Sequence, residues 1–330
     1  MLASLIVRES LRSVVINIVK RLAFAFLFLT PVFIVAQCCS GGVPMSNNIG
    51  LPSASVGTFQ LNVNYDWNNL ETLKSGDQDL NDNTRQRETH ALLLEFGYSF
   101  TNALSLDIFI PFIRQERTIN TFGTENFQRT NGLGDVVLLP KYTFNEQWTV
   151  GIGVKLPTGK ADSFNNQGIA LPADLQAGSG ALDGILFLAF QQYSAKRPSL
   201  GYFGNLIFRS TGENDQYFAG NTYEFGNELQ VAAGVSDRFL IGKVLLDPSF
   251  RAFYRKRGRD FFENGEFPGS GGDFVFLNPG ISIPVGSNFS WQANVTLPIY
   301  SFVVDTQLAP TVQVNAGISF KKNLKSTNQF

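Results

Sequence analysis

Residues Gly132–Gly159 read GLGDVVLLPKYTFNEQWTVGIGVKLPTG, two long alternating runs joined by a tight turn around Asn145–Gln147. In the second run Trp148, Val150, Ile152, Val154 and Leu156 share one face, with Thr149, Gly151, Gly153, Lys155 and Pro157 on the other. In the first, Val136, Leu138, Pro140, Tyr142 and Phe144 lie opposite Asp135, Val137, Leu139, Lys141 and Thr143. Side chains alternate across a strand, so each run presents an aliphatic face bounded by aromatics and a back face that carries charge. A strand with hydrocarbon on one side and a wet lumen on the other needs that pattern. A soluble sandwich strand alternates too, so one hairpin does not decide the fold. Repetition along the chain does.

Working outward, the same period of two recurs. Phe59, Leu61, Val63, Tyr65 and Trp67 alternate with Gln60, Asn62, Asn64 and Asp66. Leu92, Leu94, Phe96, Tyr98 and Phe100 oppose Glu95, Gly97 and Ser99, and Leu104–Arg114 continues the rhythm. Past the opening hairpin, strands are expected at 182–193, 200–211, 223–235, 239–256, 273–285, 289–303 and 310–321. Their connections alternate long and short. Polar loops at 68–86, 115–131, 158–181, 212–222, 257–272 and 304–309 contrast with short turns such as Thr101–Ala103 and Gly286–Asn288. The predicted fold is therefore all-β, an antiparallel transmembrane β-barrel of about 12 strands with short periplasmic turns and long extracellular loops. Trp67, Trp148, Trp291, Tyr98, Tyr142, Phe100 and Phe144 fall near strand ends, where amphipathic rings suit a membrane–water interface.

Composition agrees. The 330 residues hold 31 Phe and 31 Gly, and charged residues make up only 16%. A net charge of −1 and the lack of a basic stripe argue against a nucleic-acid partner. Lys20-Arg21 followed by the apolar run Leu22–Ala36 predicts a secretory signal peptide over 1–36. A coil segment at 37–57, periplasmic or folded as a plug into the lumen, then leads to a barrel over 58–321 and a tail at 322–330. Two adjacent cysteines, Cys38 and Cys39, exclude a disulfide framework. The expected location is the bacterial outer membrane, with outer-membrane lipid, the outer-membrane assembly machinery and a small-molecule solute as partners.

Projecting the alternation inward places charges in the lumen. Lys155, Arg209, Glu228, Lys243, Asp247, Arg251 and Arg255 are the candidate solute contacts, with Phe109, Phe253, Phe274 and Phe276 as lumen aromatics. Buried charge is costly unless paired or wet, so a mixed-sign interior means either an ion-pair network or a hydrated pore. The row Lys243, Asp247, Arg251, Arg255 on the 239–256 strand is the expected constriction or anionic-solute contact.

Catalysis has little support. The single histidine, His90, sits on the lipid-facing row with no local serine motif, although a serine could reach it from another strand. GVKLPTGK departs from a phosphate loop in spacing, and Ala161 stands where Ser or Thr is required. No catalytic residue, metal site or cofactor is predicted. The candidate functions are a small-molecule channel, a closed structural or surface-interaction barrel using the 68–86 and 158–181 loops, or an outer-membrane lipid hydrolase at His90.

Gly132-Leu-Gly-Asp-Val, Lys141-Tyr-Thr-Phe, Lys155-Leu-Pro-Thr-Gly, Gly178-Ser-Gly and Asp183-Gly together resemble a family of bacterial outer-membrane barrels named for the meta-pathway of phenol degradation. The resemblance is in motif over 131–184 and in pattern over 55–321. It implies a barrel whose motif residues are structural features near the extracellular rim, and passage of small, often hydrophobic or aromatic, compounds. Cys38-Cys39 followed by coil is similar to exported proteins of the Bacteroidetes type.

Overall fold

The computed structural model describes residues 55–165 and 167–324. The expected signal peptide, Cys38, Cys39, residues 37–54 of the coil and 325–330 of the tail lie outside the described residues. Twelve antiparallel strands close a barrel: β1 Thr58–Leu70, β2 Arg85–Ser99, β3 Leu104–Thr121, β4 Val136–Phe144, β5 Trp148–Leu156 and β6 Asp183–Tyr193. They continue as β7 Gly201–Ser210, β8 Glu228–Ser236, β9 Val244–Arg257, β10 Gly272–Val285, β11 Phe289–Ala309 and β12 Val312–Asn323. Each strand pairs with its chain neighbours, and β12 returns to β1 with Thr58 opposite Asn323. Closure leaves no unpaired edge, as a bilayer demands.

The faces follow the alternation. Ile152 is 72% exposed and Trp291 57%, and Leu92, Phe112, Leu186, Phe250 and Ile299 also point outward. Leaving one such side chain in water rather than burying it forfeits about 1.5–3 kcal/mol. An exterior carrying dozens of them is stable only where hydrocarbon covers it. Phe100, Tyr142, Phe144, Trp148, Tyr193 and Phe289 are exposed beside the short turns, forming the periplasmic aromatic belt. At one of those turns Asn145 and Glu146 adopt φ of 55° and 56°, the left-handed pair whose twist matches a tight hairpin.

Inside, the lumen wall is packed. Leu93, Phe109, Val137, Leu139, Ile185, Phe187, Ala189 and Ile207 form one apolar cluster along β2–β7. Ala232, Phe253, Phe274, Phe276, Val303 and Ala309 form a second along β8–β11. A polar belt runs along the closing seam. Gln313 donates to Asp66 at 2.7 Å, Gln292 to Asn64 at 2.6 Å, and Asn278 to Asn294 and Thr296. Gly317 stands opposite Asn64, and a Cβ there would come within 2.1 Å of the Asn64 Oδ1.

Three expectations change. The 115–131 loop is β3 running on past the membrane, paired with a strand at Thr124–Leu133. There the outer face meets water and the inner face packs on polar groups of the following loop, so the hydrophobic alternation stops while the backbone ladder continues. The loops at 212–222 and 257–272 supply a small four-stranded sheet at the extracellular end. The predicted 239–256 strand is broken. Phe239–Ile241 turns back at Gly242 (φ 63°) and Lys243 onto Leu246–Val244, making a short hairpin at the periplasmic end.

Candidate functional site

The motifs of the deciding stretch converge on one point at the extracellular end of β4, β5 and β6. Lys155 pairs across the ladder with Val137 and Asp183, and Asp135 immediately precedes β4. The Lys155 Nζ lies 2.8 Å from Asp135 and 3.1 Å from Asp183, donates to the Ser179 hydroxyl and to the Ala181 carbonyl, and is 0% exposed. Asp135 in turn accepts the Ser179 N–H and hydroxyl on one oxygen and the Gly159 N–H on the other. Asp183 accepts the Gly212 N–H, and Arg209 stands between Asp183 and Glu228. A buried charge survives only when it is paired and hydrogen-bonded, and Lys155 and Asp135 are both. Gly159 and Gly178 meet backbone to backbone, where a Cβ on Gly178 would lie 2.5 Å from the Gly159 carbonyl carbon. Glycine is required for that approach.

This knot ties down the long loop that follows β5. The loop folds into the barrel mouth, burying Leu171, Leu175 and Ala177, with a single 3-10 turn at Ala173–Leu175. Gln176, also buried, holds the loop's own shape through Ser163 and Leu171. Inward side chains of β2 and β3 hold the turn. Arg87 donates to the Asp174 carboxylate at 2.8 Å and to the Asp174 carbonyl, and Gln115 donates to the Gln176 carbonyl at 2.7 Å. Arg117 stands 3.9 Å from the other Asp174 oxygen. From the opposite side Tyr223 and Phe225 of the extracellular sheet pack on Ala173, with Tyr217 and Phe262 against them. Burial raises the Tyr223 phenol and the Asp260 carboxyl above their ordinary values, and the protonated phenol donates to Asp260 at 2.7 Å.

Between this turn and the wall lies a cavity of about 360 Å³. Arg85, Arg87, Arg117 and Asp174 give it charge, and Leu70, Ile119, Pro172, Tyr217, Phe267 and Leu308 give it an apolar and aromatic lining. Below it, Phe253 stacks on Phe276 at 4.7 Å between ring centres, and Phe274 follows at 6.0 Å. Arg251 lies over Phe253, and Arg255 over both Phe274 and Phe276 at 5.5 and 5.0 Å. Such cation–π stacks hold a guanidinium in an apolar wall.

The candidate residues therefore separate. Arg251, Arg255, Phe253, Phe274 and Phe276 come together on one wall, and Phe109 sits in the other cluster. Lys155, Arg209 and Glu228 belong to the knot, where protein groups occupy them. Lys243 is corrected: it lies in the periplasmic turn, exposed, because Gly242 reverses the chain one residue earlier. Asp247 sits at the foot of that hairpin, taken by a two-pronged pair with Arg238 at 2.7 and 2.6 Å, outside any constriction. Arg87, Gln115, Arg117, Asp174, Tyr217 and Tyr223 were missed. Extending the inward parity of β2 from Glu95 back through Leu93 and Ala91 reaches Arg87, so that signal was present.

His90 faces outward, as its row predicts. Its Nδ1 lies 2.7 Å from the Tyr65 hydroxyl and its Nε2 3.5 Å from Glu88, so a tyrosine and a carboxylate occupy the positions a catalytic serine would need. Glu88, His90 and Glu116 bring possible ligand atoms within 4.8 Å of one another, but Arg114 and Arg129 both hold Glu116.

No curated protein sequence matches the chain. Among solved structures it is similar to an outer membrane channel from Pseudomonas putida F1, with a TM-score of 0.60 at 13% identity, covering 82% of this chain and 97% of that one. It is more distantly similar to the β domain of the Bordetella autotransporter BrkA (TM-score 0.45, 12% identity, 79% and 99% covered). The P. putida toluene transporter TodX also matches (TM-score 0.42, 9% identity, 82% and 91% covered). These two TM-scores are too low to carry an argument, and the first likeness speaks for the fold. The model of the family described as "Putative MetA-pathway of phenol degradation" matches residues 107–301, more than half of the chain, from within β3 to within β11, and so spans the knot and the stacked phenylalanines. The chain belongs to that family of outer-membrane β-barrels.

Proposed function

We propose that the protein is an outer-membrane channel or transporter for small aromatic or hydrophobic molecules, exported by the 1–36 segment and inserted by the outer-membrane assembly machinery. The carrying observation is the Phe253–Phe276–Phe274 stack, capped by Arg251 and Arg255, beneath an entrance cavity sized for one ring. An engineered apolar cavity of about 150 Å³ holds benzene, so the entrance has room for a ring and a polar substituent. A family described by phenol degradation and a channel with the same fold support the reading. Passage requires the Ala173–Leu175 turn to move, since it fills the mouth. Uptake of phenol into proteoliposomes carrying the full chain tests this. Uptake above protein-free vesicles, reduced by Phe276→Ala or Arg251→Ala, is expected, and no uptake at any protein density would sink it.

A second reading, a permanently closed barrel acting through its extracellular loops, is favoured by the packing of inward side chains. It predicts stable insertion with no uptake or conductance, even when the Asp174 contact is removed.

A further inference from the structure

The Asp174 carboxylate is held as a bound anion would be. Arg87 meets one oxygen at 2.8 Å, Arg117 approaches the other, and the group is a third exposed, where the cavity opens. Around it stand a third guanidinium, Arg85, and a lining of Tyr217, Phe267, Leu70, Ile119 and Leu308. The cavity's other acid, Asp260, does not compete, because its oxygens already accept from Tyr223 and the Gly226 N–H beside Arg257. A guanidinium pair next to an aromatic-lined cavity matches a ring bearing one carboxylate, since planar carboxylates take Arg on both prongs.

We infer that this extracellular cavity recognises an aromatic monocarboxylate, which takes the place of Asp174 on Arg87 and Arg117 and so frees the Ala173–Leu175 turn from the barrel mouth. Asp174 is then an internal stand-in for the solute's own charge. The exchange conserves charge on the arginine pair, so it exposes no unpaired buried cation. The turn loses its carboxylate anchor only when the ligand supplies a replacement, and the Gln115 bond to the Gln176 carbonyl remains as a tether behind the moving tip. A neutral ring can fill the apolar part of the cavity but cannot make this exchange. The opening step rests on the channel reading; the binding step does not.

Calorimetric titration of the detergent-solubilised full chain with benzoate, and with benzamide as the uncharged isostere, tests the binding step. Benzoate should bind more tightly than benzamide by about tenfold or more, the value of a hydrogen bond to a charged group. Arg117→Gln should remove that difference, and Arg117→Lys should restore part of it. Asp174→Asn should tighten benzoate severalfold, because it removes the competing anion. A merely structural Asp174 would give no change or a loss. Equal binding of benzoate and benzamide, or unchanged or weaker benzoate binding in Asp174→Asn, would overturn the inference. Planar-bilayer conductance separates the two readings. Benzoate binding as expected in a barrel that never conducts discards the channel and keeps the recognition site. Conductance indifferent to benzoate, with no benzoate binding, does the reverse.

Discussion

Two sets of charges hold the same loop, and they differ in what surrounds them. At its start and end, Lys155, Asp135 and Asp183 are sealed from solvent and every oxygen is bonded from within the protein. At its tip, Asp174 reaches Arg87 and Arg117 with a third of its surface open to the cavity. The Coulomb energy between charges at one separation is several times larger in a low-dielectric interior than beside water. Losing one partner of a sealed set strands the others. A partner lost at the tip is replaced by water or by a solute's anion. The loop is thus hinged at a permanent anchor and held at an exchangeable one, and one loop can stay attached while its tip moves.

The largest test breaks the anchor. Lys155→Met keeps length and removes charge, leaving two buried carboxylates without their cation, a loss of about 3–5 kcal/mol. In a thermal-denaturation scan the folded barrel should melt many degrees lower than wild type or fail to form. A melting temperature within a degree or two of wild type would mean that the anchor is not what holds the loop. The tip should respond differently. Asp174→Asn sits in a partly open site and should cost about 1 kcal/mol or less, with melting little changed, while single-channel conductance without ligand rises. Melting that falls as far as for Lys155→Met would abolish the distinction between the two sites. Lys243→Ala marks the floor. An exposed turn residue should alter stability by no more than about 0.5 kcal/mol and leave conductance alone, and a change in conductance would return Lys243 to the solute path.

The barrel was legible because a period of two survives wherever one face meets lipid. The inward parity of Arg251, Phe253, Arg255 and Glu95 held in the folded chain. What failed was what periodicity does not encode. Lys243 shares parity with Asp247 and Arg251, so an apolar hairpin of Phe239–Ile241 and Val244–Leu246 reads as one uninterrupted strand unless Gly242 is given its weight as a turn residue. The segment 158–181 reads only as a long polar loop because its buried residues, Leu171, Leu175 and Gln176, follow no period. Their partners, Arg87 and Gln115, lie far away in sequence, and only the closed barrel brings them near. The resemblance of the glycine and aspartate motifs to a known family pointed to the right place, the extracellular rim. Their physical reason, a backbone contact at Gly159 and Gly178 and a buried lysine, exists only in the closed fold.

The closing seam has a consequence for assembly. A backbone ladder tolerates a slip of two residues between first and last strands, since inside and outside are preserved. Such a slip changes the shear of the cylinder, and with it the tilt of every strand and the bore. Here a slip would set Asn315 or Ser319 against Asn64, each with a Cβ where only Gly317 leaves room, and the slip that brings Ser319 there would also pull Gln313 away from Asp66. The amide belt and its one glycine work as a key cut for a single register. The last pairing to form is then also the one that checks the width of the finished pore.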